Sequence, residues 1–337
     1  MFNIKFIIRH RYPNIYVFLQ NTYGLLRQYT SREKIRHFGG LNSDKKIYVI
    51  RIRRKTLGLM GYYMAVLGHI RIACERGMFP VVDMMNYKNP YITEDECGRK
   101  NSWEFYFKQP IPEINLKDVY KSNHVVLSNL ETPFEANPRK FYERVYKKNM
   151  LQEYFRMVNT YINFNSECLK ILDRNFSKIF APVFAEEGRI LGVVSRGTDI
   201  LGFPGHSIQP TQEELLELSK KYMEKYSCNY IFLASDSEAA ISFFKSQLGE
   251  KIILTNSCKR YDSFFESKIH VLSDINFNRE NDAYLKGLEY LTTVYLLSKC
   301  NVLFGSIIGS TIGAVCMNGG RYEHIEFYDK GVYGKGK

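Results

Sequence analysis

Four stretches of this sequence close a β-branched, apolar run with residue types that can handle phosphate or sugar. The run Gly192-Val-Val-Ser-Arg196-Gly197-Thr198-Asp199 delivers an arginine, a hydroxyl and a carboxylate into a turn that glycine permits. An arginine there can fork onto a diphosphate, and the same spacing suits an Arg196 to Asp199 pair that ties the turn down. Ile231-Phe-Leu-Ala-Ser235-Asp236-Ser237-Glu238 passes from strand to helix start. Asp236 is placed to meet a ribose or sugar hydroxyl or to cap the helix, with Glu238 favouring the helix dipole. Read as a carboxylate-x-carboxylate pair, Asp236 and Glu238 would instead hold a divalent metal, but no second ligand cluster accompanies them.

The third stretch, Phe304-Gly305-Ser306-Ile-Ile-Gly309-Ser310-Thr311-Ile-Gly313, reads as strand, glycine turn and helix start. Free backbone N–H groups, hydroxyls and the positive helix end make an anion seat, unless the glycines serve only close helix packing. No lysine follows them as a phosphate-binding loop of an NTP hydrolase requires. The fourth, Gly58-Leu-Met-Gly61, follows the first strong strand, and Asp83 ends the second. Those glycines admit a ligand close to the backbone but lack the three-glycine spacing of a dinucleotide fingerprint. His206 sits in Phe-Pro-Gly-His-Ser-Ile-Gln-Pro, a loop histidine suited to acceptor or phosphate, or to a structural role. Arg279 is a reserve phosphate contact in a polar stretch.

Residues of this kind act where strand ends present them, so the elements matter. Ile47 to Ile52, a periodic helix from Leu57 to Arg76 and a strand from Pro80 to Asp83 make a β-α-β opening. His124 to Ser128 is a third strand, and Arg139 to Asn159 and Ser166 to Phe180 read as helices. After Glu186-Glu187-Gly188 the rhythm restarts: strands at 190–195, 230–234, 252–254, 302–304 and 324–328 alternate with helices at 211–226, 237–248, 280–299 and from Ser310. Such alternation predicts an α/β fold with parallel sheets covered on both faces, and ligands beyond the carboxyl ends of the strands. The division expected is residues 1–45 as leader, 46–185 as a first Rossmann-like domain and 186–337 as a second.

At 337 residues, 45% hydrophobic and 15% aromatic, the chain has material for two cores. Its charge of +12 is lopsided: residues 1–55 hold 13 Lys or Arg against Glu33 and Asp44, leaving the body nearly neutral. Cations interleaved with Phe2, Phe6, Tyr12, Tyr16 and Phe18 predict a basic amphipathic leader touching an anionic membrane surface, or a solvated leader helix, rather than a nucleic-acid binder. Seven cysteines without a C-x-x-C pair suit reduced thiols. With no apolar run long enough to span a bilayer, the expected location is cytoplasmic, peripheral on the inner face of the cytoplasmic membrane.

In order and spacing, from about residue 46 to about residue 333, these stretches resemble the α-1,6-fucosyltransferase and nodulation-fucosyltransferase group, related to protein O-fucosyltransferases and bacterial capsule-type glycosyltransferases. The family strand His-x-Arg-Arg-Thr-Asp falls on Val194, Ser195, Arg196, Gly197, Thr198 and Asp199. The resemblance implies two facing Rossmann-like domains of GT-B type and inverting, metal-independent transfer from a nucleotide sugar, GDP-fucose, to a surface-polysaccharide or lipid-linked glycan, without a cofactor. By it Arg196 holds the donor diphosphate, Ser306 to Thr311 form the phosphate turn, Asp236 is the carboxylate after the next strand and His206 opens the next helix. The chain departs from the family where Val194 replaces its guanine-facing histidine, where Thr292 and Thr293 stand near its helix aspartate, and where Leu201 to Pro204 replace a glutamate. Asp199 and Asp83, both at strand ends, are the candidate general bases. The alternatives are a transferase of the same fold using another nucleotide sugar, and a peripheral scaffold that catalyses nothing.

Overall fold

A computed structural model describes Ile15 and residues 31–54, 57–196, 202, 204–255, 258–262 and 275–334. The helical leader predicted over residues 1–45 lies largely outside them. Its far end does not: β1 (Lys34–Arg36) pairs antiparallel with β4 (Ser122–Leu127), and β2 (Leu41–Arg51) lies between β4 and β3 (Phe79–Asp83), parallel to both. The first sheet thus starts at Lys34, ahead of the expected position 46. The signal was masked because β2 carries Asn42, Ser43, Asp44, Lys45 and Lys46 before its buried half, Ile47 to Arg51.

The second sheet is wholly parallel, in the order β7 (Ile252–Ile253), β6 (Tyr230–Ser235), β5 (Ile190–Ser195), β8 (Val302–Ser306) and β9 (His324–Tyr328). All six residues of β5 are buried, as a central strand covered on both faces requires. The predicted α/β fold with parallel sheets is what the chain forms. One expected helix is broken: residues 138–146 make a short α turn running into a π turn, Asn149 adopts φ 56°, and a new helix, α2 (Leu151–Tyr161), follows α1 (Leu59–Glu75) in the numbering of the long helices. Lys147, Lys148 and Asn149 place three polar residues in a row there, so no apolar stripe carries the helix across.

The remaining long helices are α3 (Ser166–Ile179), α4 (Gln212–Lys225), α5 (Glu238–Leu248), α6 (Asp282–Leu297) and α7 (Gly309–Asn318). One continuous core joins the sheets, with α1 packed on both α6 and α7. Contact is close because α7 has a glycine where it crosses α1: a Cβ at Gly313 would stand 2.5 Å from the Met60 sulfur. Elsewhere Tyr106 stacks on Tyr284 at 5.6 Å between ring centres and donates its hydroxyl to the Tyr284 carbonyl. Tyr142 and Tyr146 meet Phe327 edge to face, and Arg139 pairs with Asp329. The lobes are therefore fastened around a cleft that opens at the carboxyl ends of β5, β6 and β8. Four of the seven free cysteines are buried, whereas Cys74 is exposed.

Candidate functional site

Strand register builds the centre of the site. Because β5 and β6 run parallel with Ser195 opposite Ser235, the next residue of each, Arg196 and Asp236, emerge side by side. Arg196 Nε lies 2.9 Å from Asp236 Oδ2, with the two side chains 21% and 10% exposed. At that separation the opposite charges form an ion pair, which holds the guanidinium beside the end of β6. The pair expected within the turn, Arg196 with Asp199, cannot be compared, since Asp199 lies outside the described residues.

Two cavities meet at this arginine. The smaller, of 180 Å³, is floored by Val194 and Ala234 and walled by Cys258 to Tyr261, by Lys286, Glu289, Tyr290 and Thr293 of α6, and by Pro90 and Tyr91 of the first lobe. The larger, of 630 Å³, lies between the lobes. Gly58, Arg196, Tyr290 and Ser310 line both. Gly58 has nothing within 4 Å of where a Cβ would stand, so its backbone faces open space. Gly61 lines only the larger cavity, against Leu57.

The glycine turn reaches the cleft later in sequence than expected. β8 extends through Gly305 and Ser306, which are still paired with Phe327 and Tyr328 of β9. A Cβ at Gly305 would sit 3.0 Å from both Thr311 Oγ1 and Val194 Cβ, so this glycine serves packing. Ser306 and Thr311 are buried beneath the turn and line neither cavity; among the described residues Ser306 Oγ and Thr311 Oγ1 have no hydrogen-bond partner. Of the set read as donor-facing, Gly309 and Ser310 reach a cavity, joined there by Ile307 and Ile308, whereas Gly305, Ser306 and Thr311 do not. There the helix begins without a side-chain cap, so its first N–H groups and the positive end of its dipole have no carboxylate of their own.

The N-terminus of α5 is the opposite case. Ser237, not Asp236, is its cap, accepting from Ala240 N at 3.2 Å. Asp262 fills the remaining anion position: its Oδ2 accepts from Glu238 N at 2.6 Å and its Oδ1 from Ser237 Oγ at 2.6 Å. Burial pushes the Asp262 carboxyl up, but these donors outweigh it and hold it below the usual carboxylate range. Glu238 faces Arg260 Nε at 3.6 Å rather than sharing a ligand position with Asp236. Among the described residues no group of three His, Cys, Asp or Glu side chains is arranged to hold a metal ion.

Asp83 is not in the cleft, which corrects its reading as a base. It is 0% exposed, and its Oδ1 accepts from Met85 N and Asn86 N at 3.1 Å while its Oδ2 accepts from Asn86 Nδ2 at 2.8 Å and Tyr120 hydroxyl at 2.6 Å. Burial and then the Asp83 charge drive the Tyr120 hydroxyl well above its ordinary pKa, so it stays a donor. Arg279 also lines neither cavity: it bonds Asp282 Oδ1 at 2.7 Å and grips Glu289 at 2.5 and 3.2 Å. His206 lines the larger cavity. Its loop is fixed to the glycine turn by Ser207 Oγ, which donates to the Ile307 carbonyl at 2.8 Å.

Sequence reasoning missed Lys286, Lys259 and Arg260. Lys286 is 7% exposed, with Nζ on the Ile275 carbonyl at 2.6 Å and 3.7 Å from Asp282. The signal was present: Lys286, Glu289, Tyr290 and Thr293 repeat at three, four and seven residues, a polar stripe on an otherwise apolar helix. Glu289 supplies a carboxylate to the same cavity, about one turn before Thr293.

No family profile and no curated protein sequence matches the chain. Solved structures do, among them several fucosyltransferases. Fucosyltransferase NodZ from Bradyrhizobium is 15% identical, with 80% of this chain and 92% of that one aligned at a TM-score of 0.44. POFUT1 in its apo form is 12% identical over 85% and 99% of the two chains, at 0.43. A variant of Arabidopsis thaliana FUT1 in complex with GDP is 11% identical over 88% and 74%, at 0.48. At such identities, function has to be read from the cleft's own residues.

Proposed function

We propose that this protein is an inverting glycosyltransferase that takes a sugar from a nucleotide diphosphate donor. One observation carries the reading: an arginine paired with a strand-end carboxylate shares its cavity walls with an uncapped helix start and a bare glycine backbone. A leaving diphosphate gains negative charge as the glycosidic bond breaks. Preorganised donors aimed at developing charge lower that barrier most, and a guanidinium and a helix N-terminus are such donors. Lys286, Lys259 and Arg260 add positive charge to the smaller cavity, where aromatic and apolar surface suits a nucleoside. The acceptor enters the larger cavity beside His206. With Asp83 buried, Asp199, which lies outside the described residues, stays the candidate base on sequence grounds alone.

GDP-fucose is the donor implied by the sequence resemblance. A different nucleotide sugar is the second reading, favoured by Val194 in the cavity floor where the family carries histidine. Metal independence follows if Arg196 does the neutralising. A surface-polysaccharide or lipid-linked acceptor and a peripheral position on the inner membrane face remain part of the proposal, supported by the cations concentrated in residues 1–55. The test is a thermal-shift panel of GDP, UDP, CDP and ADP sugars in chelator, followed by hydrolysis of the best binder. Stabilisation by one donor and turnover without divalent metal are expected; no stabilisation by any of them removes the reading.

A further inference from the structure

The two cavities differ in charge. In the smaller, Arg196, Lys259, Arg260 and Lys286 stand against the carboxylates Asp236 and Glu289. In the larger, the walls hold Arg54, Arg139, Lys140 and the shared Arg196, and among the described residues the only carboxylate is Glu135. Glu135 offsets none of them. It is fully buried, its Oε1 accepts from Arg71 Nε at 2.7 Å and Tyr154 hydroxyl at 2.9 Å, and its Oε2 is packed so tightly on α1 that a Cβ at Gly68 would stand 2.5 Å away.

Arg139 is itself spoken for, by Glu143 at 2.9 Å and by Asp329. Arg54 and Lys140 are exposed, and no ion pair to either is found among the described residues. Both lie beyond the carboxyl ends of first-lobe strands, Arg54 after β2 and Lys140 after β4, on the acceptor side of the cleft. The donor's phosphates already have their cations in the smaller cavity. Two cations without an ion pair among the described residues, set in a concave wall of low dielectric, attract anions more strongly than the same charges on a convex surface.

We propose that the acceptor of this enzyme is anionic: a glycan bearing carboxylate or phosphate groups close to the hydroxyl that is glycosylated, bound through Arg54 and Lys140. This rests on the glycosyltransferase reading. The shared chemistry is an oxyanion on or next to a sugar, supplied by an acidic sugar residue, a phosphodiester in the polymer or the diphosphate of a lipid-linked glycan.

The experiment titrates the full chain, without donor, with one neutral oligosaccharide and three charged relatives: a uronate form, a sugar-phosphate form and a soluble diphosphate-linked form. At least one charged relative is expected to bind about tenfold or more tightly than the neutral sugar, and the best arm names the source of the anion. That preference should shrink in 0.5 M salt and fall towards unity in the Arg54→Gln/Lys140→Gln double variant. Both sites are exposed, and the salt series on the unaltered protein gives a second readout independent of the variant's folding. Equal affinity for neutral and charged sugars, or a preference untouched by both salt and the double variant, overturns the inference. Failure of the underlying reading is seen separately, as a protein that binds the charged glycan but is stabilised by no nucleotide sugar.

Discussion

Asp83 and Asp236 each stand at the carboxyl end of a buried parallel strand, one in each lobe, and their fates differ completely. Asp83 is consumed: four donors occupy its two oxygens and the next residues fold back as a turn. Asp236 is delivered to a cavity wall and spends its charge on Arg196. The difference lies in the chain just past each strand. After β6 it enters a helix whose start is capped by Ser237 and Asp262, leaving the Asp236 side chain for the neighbouring strand end. After β3 no helix begins at once, and Asp83 must satisfy the backbone N–H groups of the turn itself. A strand-end carboxylate is thus available for chemistry only where other residues meet the backbone's needs.

If that contrast holds, the second lobe's charged residues govern catalysis and the first lobe's buried polar groups govern stability. The largest effect expected is that of Arg196→Ala, which should lower kcat/KM for sugar transfer by about 1,000-fold, roughly 4 kcal/mol, with little change in melting temperature. Transfer at the unaltered rate would remove Arg196 from the mechanism.

Next is a pH effect from His69, buried in α1 with Nδ1 3.2 Å from the Tyr48 hydroxyl. Burial, opposed by a backbone hydrogen bond, pulls its pKa down to about 4. The unfolded chain takes up the proton near 6.5 while the folded chain holds the ring neutral, so stability is complete above about pH 6.5 and is lost as pH falls towards 4. The loss should be on the order of 3 kcal/mol, and His69→Gln should flatten that part of a denaturant-midpoint series. An unchanged slope would show that another group titrates.

Asp83→Asn should cost about 2 kcal/mol of stability, because an amide cannot accept at both positions, while folded protein keeps its specific activity. A selective loss of kcat with an unaltered melting curve would return Asp83 to the chemistry. The smallest effect belongs to Asp236→Asn, which keeps the shape but loses the charge that orients Arg196. About a tenfold fall in kcat is expected, and a fall as deep as that of Arg196→Ala would mean that Asp236 contacts the substrate directly.

Much of this protein was legible as one-dimensional pattern. Strand and helix positions follow the apolar period, so β3, β5, β6 and β9 and the helices α1, α3 to α6 fall within a few residues of their expected places. The parallel α/β fold follows from their alternation, and the importance of strand ends follows from the fold. Arg196 and Asp236 were both found this way, as residues that close buried runs. The pattern does not hold register across strands, nor the depth at which a turn leaves the sheet. Ser195 opposite Ser235 makes Arg196 and Asp236 partners, a fact about hydrogen bonding between segments 40 residues apart. β8 runs two residues past its large apolar side chains because β9 continues to pair with it, and this buries Ser306 and Thr311 while Ile307 to Ser310 line the cleft. Lys286 belongs to the site only because α6 packs with its polar stripe towards the ends of β5 and β6. Local sequence determined which elements form, through propensity and hydrophobic period, while the choice of which polar residues face one another was left to long-range packing, whose partners no local window contains.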